Sequence, residues 1–134
     1  MATRADCTLL LLPLIGGAPI AGAVPVFTSG DALKAAVKAC LAESSVGLCP
    51  NSQDAAIGLW DVSAVDSMYE MFMGASAFNQ NLSPWDTSAV TNMGSMFDQA
   101  KVFNKDLSAW DTSAVISMSA MFSNANTFNQ DLSA

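Results

Sequence analysis

Trp60, Trp85 and Trp110 stand 25 residues apart, and the segments they open align without a gap. They read WDVSAVDSMYEMFMGASAFNQNLSP, WDTSAVTNMGSMFDQAKVFNKDLSA and WDTSAVISMSAMFSNANTFNQDLSA, with 13 of the 25 positions identical in all three. A fixed period of this length means stacked structural units, each too small to bury its own apolar face. The invariant positions are those a shared core needs: in the first copy Trp60, Val65, Met68, Met71, Phe72, Ala75, Phe78 and Leu82. Val65, Met68, Met71, Phe72 and Ala75 fall at helical spacing, which predicts a short helix with one inward face in each copy. Ser63, Ser88 and Ser113 precede it, where a hydroxyl can cap free N–H groups. The segments around Leu82, Leu107 and Leu132 read as short strands. The expected architecture is an α/β repeat solenoid with one short strand and one short helix per coil. Its three coils are 60–84, 85–109 and 110–134.

Two polar columns accompany the apolar ones. Asn79, Asn104 and Asn129 each follow a core Phe, and a ladder bridging the backbones of successive coils is favoured over a row of sugar or metal ligands. Asp61, Asp86 and Asp111 are expected to accept backbone N–H groups in Trp-Asp-x-Ser turns, ahead of holding calcium. Residues 24–59 read as an N-terminal cap. Ser29-Gly30-Asp31 precedes a helix expected over Ala32–Glu43, with Leu33, Val37, Cys40 and Leu41 on the face that covers the first coil.

From Cys7 to Phe27 the chain carries no charge, and Arg4 precedes this stretch. With Ala21-Gly22-Ala23 as a cleavage site, residues 1–23 read as a secretory signal peptide. A retained membrane anchor is the alternative, although Pro13, Pro19 and Pro25 make a poor spanning helix. Cleavage would remove Cys7 and leave Cys40 and Cys49, an even pair that reads as a disulfide in an exported chain; burial of Cys40 as a small hydrophobe is compatible with it.

Composition narrows the function. The net charge is −7 and the pI near 4.1, which argues against nucleic acid as a partner. No histidine is present, so neither a Ser-His-Asp triad nor a Cys-His dyad can form. The acids recur with the repeat, as scaffold residues do, whereas a catalytic carboxylate pair should break it. No enzymatic activity and no cofactor or metal are expected.

The pattern W-D-T-S-A-V-x-x-M-x-x-M-F-x-x-A-x-x-F-N-x-D-L-S, at Trp85–Ser108 and Trp110–Ser133, resembles that of the BspA-like surface proteins. The resemblance covers Trp60–Ala134 and implies a leucine-rich-repeat-like solenoid in a secreted or cell-surface chain engaged in adhesion or extracellular binding. The leading expectation is therefore a non-catalytic module that binds an extracellular protein or glycan, with no membrane span once the signal is cleaved. Its expected contact surface is the outward side of the stacked strands: Asn81, Ser83, Asp106, Ser108, Asp131 and Ser133, flanked by Gln80, Lys105 and Gln130. These are also ordinary solvated positions. Asn81-Leu82-Ser83 is in addition a glycosylation sequon, with Pro84 against its occupancy. The alternative expectation is an assembly module that self-associates by stacking through an uncapped third coil, or a fragment of a longer surface array.

Overall fold

The Met-x-x-Met-Phe-x-x-Ala-x-x-Phe spacing closes a succession of single turns. In the first coil the N–H of Met71 donates to the carbonyl of Met68, Ala75 to Phe72 and Phe78 to Ala75. The same three bonds recur in the second coil from Met96, Ala100 and Phe103, and in the third from Met121, Ala125 and Phe128. No helix propagates, because the first two of these turns in each coil carry a left-handed residue at their third position. Glu70, Ser95 and Ala120 have φ of 56°, 51° and 55°, and Gly74, Gln99 and Asn124 have φ of 76°, 62° and 55°. A left-handed residue reverses the winding that a right-handed helix needs.

This overturns the expected α/β solenoid with a strand and a helix in every coil. In this computed structural model the described residues are 24–49 and 56–133, with the backbone of β1 (Leu14–Ile15) and β2 (Ala18–Pro19), which pair antiparallel. Among them the regular helices are α1 (Gly30–Glu43) and a single short 3-10 turn, Ile57–Leu59, both before the first coil. Helical spacing is shared by a helix and by a run of i to i+3 turns, and the apolar pattern alone does not separate them. The segments read as strands are turns as well. Asn81, Asp106 and Asp131 each accept the N–H of the serine two residues on, at 3.0, 2.8 and 2.9 Å. A side chain that closes its own turn competes with strand pairing.

What joins the coils is a comb of alternate N–H groups. Met68, Glu70, Phe72 and Gly74 donate to the carbonyls of Asn92, Gly94, Met96 and Asp98, all at 2.8–2.9 Å. Met93, Ser95, Phe97 and Gln99 donate in turn to Ser117, Ser119, Met121 and Ser123 at 2.8 Å. The intervening N–H groups of Met71, Met73 and Ala75 stay within their own coil. Single parallel bridges link Ser67, Asn92 and Ser117. The asparagine column forms the ladder its spacing suggests: Asn104 N–H donates to Asn79 Oδ1, and Asn129 N–H to Asn104 Oδ1, both at 3.0 Å.

Equal residues placed over one another make the core. Phe72, Phe97 and Phe122 stack with centroids 5.4 and 5.6 Å apart and planes within 4° of parallel. Phe78, Phe103 and Phe128 form a second column at 5.9 and 6.0 Å. Within each coil the two phenylalanines pair at 4.0–4.3 Å.

One end of this stack is closed. Ser29 caps α1 by accepting the Ala32 N–H at 3.3 Å, Asp31 lies in the positive first turn, and Ala32, Ala35, Ala36 and Ala39 favour the helix. Leu33, Ala36, Val37 and Cys40 are buried against the first coil, while Leu41 packs beside them partly exposed. Pro25 and Phe27 pair with the backbone of Asp61, the Lys34 ammonium meets Glu70 at 3.1 Å, and Gln80 Nε2 donates to the Val46 carbonyl. At Gly58 the chain passes so close to the Asn81 carbonyl that a Cβ would overlap it. The segment 1–23, with its proposed cleavage site at Ala21-Gly22-Ala23, lies outside the described residues apart from the β1–β2 backbone. No helix among the described residues is long and apolar enough to cross a membrane.

Cys40 and Cys49 are joined in a disulfide with Cα atoms 5.1 Å apart, closing a loop across nine positions. Removing it, by reductant or by Cys40→Ala with Cys49→Ala, is expected to lower the unfolding free energy by about 2.5–3 kcal/mol through loop-closure entropy. Urea unfolding with and without reductant measures this.

Candidate binding surface

Among the described residues the far end of the stack is open. Met93 is fully buried but its equivalent Met118 is 45 % exposed; Leu107 is 3 % exposed and Leu132 49 %. Ile116, at the start of the same edge, is 88 % exposed. Nothing among the described residues covers these side chains as α1 covers the first coil. The N–H groups of Met118, Ala120, Phe122 and Asn124, which correspond to the donors of the first two coils, meet no acceptor among the described residues. A cavity of about 200 Å³ opens between them, lined chiefly by Leu107, Trp110, Met118, Met121, Phe122 and Leu132. Exposed apolar area beside unmatched backbone donors is the kind of edge that other chains pair with.

A second concavity, of about 250 Å³, lies between the start of α1 and the first coil, lined by Asp31, Lys34, Asp66, Ser67 and Tyr69 among others. Its cation is already engaged: Lys34 pairs with Glu70 and lies 5.5 Å from the Tyr69 ring. The Lys34 bond, with a second from Tyr69, lowers the Glu70 pKa, and Glu70 raises that of Tyr69.

The residues expected to contact a ligand occupy equivalent positions on successive coils, and most of their side chains bond within the chain. Gln80 reaches Val46, and Gln130 Nε2 donates to Asn104 Oδ1 at 2.8 Å. Asn81, Asp106 and Asp131 close turns onto Ser83, Ser108 and Ser133, and the Ser133 hydroxyl also donates to Asp131. Lys105 is half-buried beside this row and makes no ion pair among the described residues. Ser108 alone of the nine borders the apolar cavity. The periodicity revealed both the column and the uncapped third coil, but not that Met118 and Leu132 are the side chains left exposed there.

The Asp61, Asp86 and Asp111 column does form turns. Each carboxylate accepts its serine's N–H at 2.9–3.0 Å, and Asp61 and Asp86 also accept the serine hydroxyl at 2.7 and 2.6 Å. The serines thus serve the aspartates and cap no helix. The hydroxyl bond and then the amide bond lower these pKa values, outweighing the repulsion that Asp86 exerts on Asp61 and Asp111 on Asp86. Asp131 is lowered likewise by Ser133, and Asp106 by the Ser108 amide first and then its hydroxyl. A carboxylate whose pKa is depressed on folding stabilises above its unfolded pKa, and the contribution is lost as pH falls through the folded value. The thermal midpoint is therefore expected to hold down to about pH 5 and to drop below the ordinary aspartate value near 3.8. Asn81 makes the same turn with a neutral amide, so Asp106→Asn and Asp131→Asn should keep the fold and flatten that drop. Melting curves from pH 7 to pH 2 check both.

The family described as Mycoplasma protein of unknown function, DUF285, matches residues 42–134. The chain belongs to that family. The match spans the end of α1, Cys49 and all three coils of this DUF285 protein, so the open end lies within it. No curated protein and no solved structure matches the chain. Among the described residues no group of three or more Cys, Asp or Glu side chains converges to hold a metal ion.

Proposed function

We propose that this DUF285 chain is a non-catalytic, exported or cell-surface module for binding extracellular protein, and that the open face of its third coil is shaped to take a polypeptide. The observation that carries the reading is the contrast between equivalent positions. Side chains fully buried in the second coil lie half exposed in the third, beside four backbone donors with no acceptor among the described residues. Apolar surface with a directional row of N–H groups suits a polypeptide, whose backbone can supply carbonyls in register, better than a glycan. The resemblance to BspA-like proteins and the Cys40–Cys49 disulfide support an extracellular setting.

The test is adsorption of the labelled full chain to intact cells pretreated with protease or with glycosidases. Loss after protease, and loss on Met118→Lys with Leu132→Lys, supports the proposal. Binding that only glycosidases abolish, or that falls with Lys105→Ala and Gln130→Ala and not with the third-coil changes, overturns it in favour of a glycan site on the polar column. Detection of the chain solely inside the producing cells overturns the extracellular part.

A further inference from the structure

Asn81-Leu82-Ser83 is the chain's one Asn-x-Ser/Thr sequence, and it departs from the repeat, since the second and third coils carry Asp106 and Asp131 at the first of these positions. All three side chains close the same turn onto the serine two residues on, at 3.0, 2.8 and 2.9 Å, so the turn does not require an amide. What the amide changes is the hydrogen bonding left over. Asp131 Oδ1 also takes the Ser133 hydroxyl, whereas Asn81 Nδ2 and the Ser83 hydroxyl have no hydrogen-bond partner among the described residues. The placement matters as much. A strand here would set a neighbouring strand against Asn81, but the turn leaves Asn81 exposed while Leu82, fully buried, anchors it to the core. Beside Asn81 lies a shallow concavity of about 240 Å³, lined by Gly58, Leu59, Gln80 and Pro84 among others, in which Leu59 is 55 % exposed. A sugar attached at Asn81 has room to lie over Leu59 and Pro84.

Resting on the extracellular reading above, we infer that Asn81 is a site of N-linked glycosylation, taking an oligosaccharide from a polyprenyl diphosphate carrier. In that transfer Nδ2 bonds the anomeric carbon of the sugar, and the bond from that carbon to the diphosphate oxygen breaks. One Nδ2 proton passes to a base of the transferase, and the carrier leaves as the diphosphate anion. The turn favours the step: the Ser83 N–H donated to Asn81 Oδ1 draws electron density onto that oxygen and eases loss of the Nδ2 proton. Asp106 and Asp131 have no amide nitrogen to offer, so the modification is confined to the first coil. Pro84 lowers occupancy by restricting Ser83 to extended backbone, where the equivalent residues of the other coils are Ala109 and Ala134. It does not prevent the turn, since the Ser83 N–H still reaches Asn81.

The experiment expresses the full chain in eukaryotic cells and takes intact masses from medium and lysate, before and after treatment with peptide-N-glycosidase. The parent chain is expected to carry an oligosaccharide mass that the enzyme removes. Asn81→Asp, which keeps the turn as the second coil makes it, should lose that mass entirely, and Pro84→Ala should raise the glycosylated share. Parent chain secreted without the added mass overturns the inference and leaves the extracellular reading standing. Added mass seen only with Pro84→Ala overturns it in the same way, by showing that the proline closes the site. Added mass that persists in Asn81→Asp, or that the enzyme leaves in place, overturns the assignment to this amide. Chain found solely in the lysate and without added mass overturns the inference together with the extracellular reading.

Discussion

Trp85→Ala is expected to lower the unfolding free energy by about 3–5 kcal/mol, the cost of emptying a buried aromatic site. Trp85 is 2 % exposed and lies between the first coil and the second, against Phe72. Its loss also leaves the buried Ile57 carbonyl without its indole partner, for about 1 kcal/mol more. Domains of this size are stable by only ~5–15 kcal/mol, so the variant should be close to unfolding at room temperature. Trp85→Phe separates the two contributions, since it keeps most of the ring and loses only the N–H bond. Trp60 provides the control. Its indole N–H is buried without a hydrogen-bond partner among the described residues, so Trp60→Phe removes an unmet donor and should cost less than Trp85→Phe. Urea midpoints for the three variants and the parent give the order: Trp85→Ala lowest, then Trp85→Phe, then Trp60→Phe, then the parent chain. Trp60→Phe as damaging as Trp85→Phe would mean that the indole bond to Ile57 contributes nothing measurable.

The same tryptophans show how far the sequence was readable. A period without gaps brings equal residues together whatever the local backbone does. Hence the Phe columns, the Asn ladder, the Asp-x-Ser turns and the helix carrying Leu33, Val37 and Cys40 could all be inferred. The path of the chain between those points could not. Apolar residues at three- and four-residue intervals serve a helix and a chain of single turns equally well, and the deciding feature is the sign of φ at Glu70, Ser95 and Ala120. None of these is Gly or Asn, the residues that ordinarily announce a left-handed position. At the next such position Gly74 and Asn124 do announce it, but Gln99 does not. The signal was therefore present in two coils of three at one site and in none at the other. The uncapped third coil was legible, but not which side chains it leaves exposed. Met118 and Leu132 are the same residues as Met93 and Leu107, and only the lack of a further coil among the described residues exposes them.

Phe97→Ala should be as damaging as Trp85→Ala, at about 3–5 kcal/mol, and its cost should depend on its place in the stack. Among the described residues Phe97 meets more rings than any other: Phe72 at 5.4 Å, Phe122 at 5.6 Å and Phe103 at 4.1 Å, all within 9° of parallel, and Trp110 at 6.3 Å. Truncation leaves a cavity walled by rings from three coils, which cannot collapse without dragging the backbone comb that joins them. Phe122 has a neighbour on one side only and is partly exposed, so Phe122→Ala should cost markedly less, about 1–3 kcal/mol. The face-to-face pair is separable from simple burial. A double-mutant cycle of Phe97→Leu with Phe103→Leu is expected to show a coupling of about 0.5–1.5 kcal/mol. Should Phe97→Ala and Phe122→Ala prove equally costly, the third coil would have to be covered in solution. That result would point to an occupied open end, and the loss from Phe122→Ala would then rise with protein concentration if the occupant were a second copy.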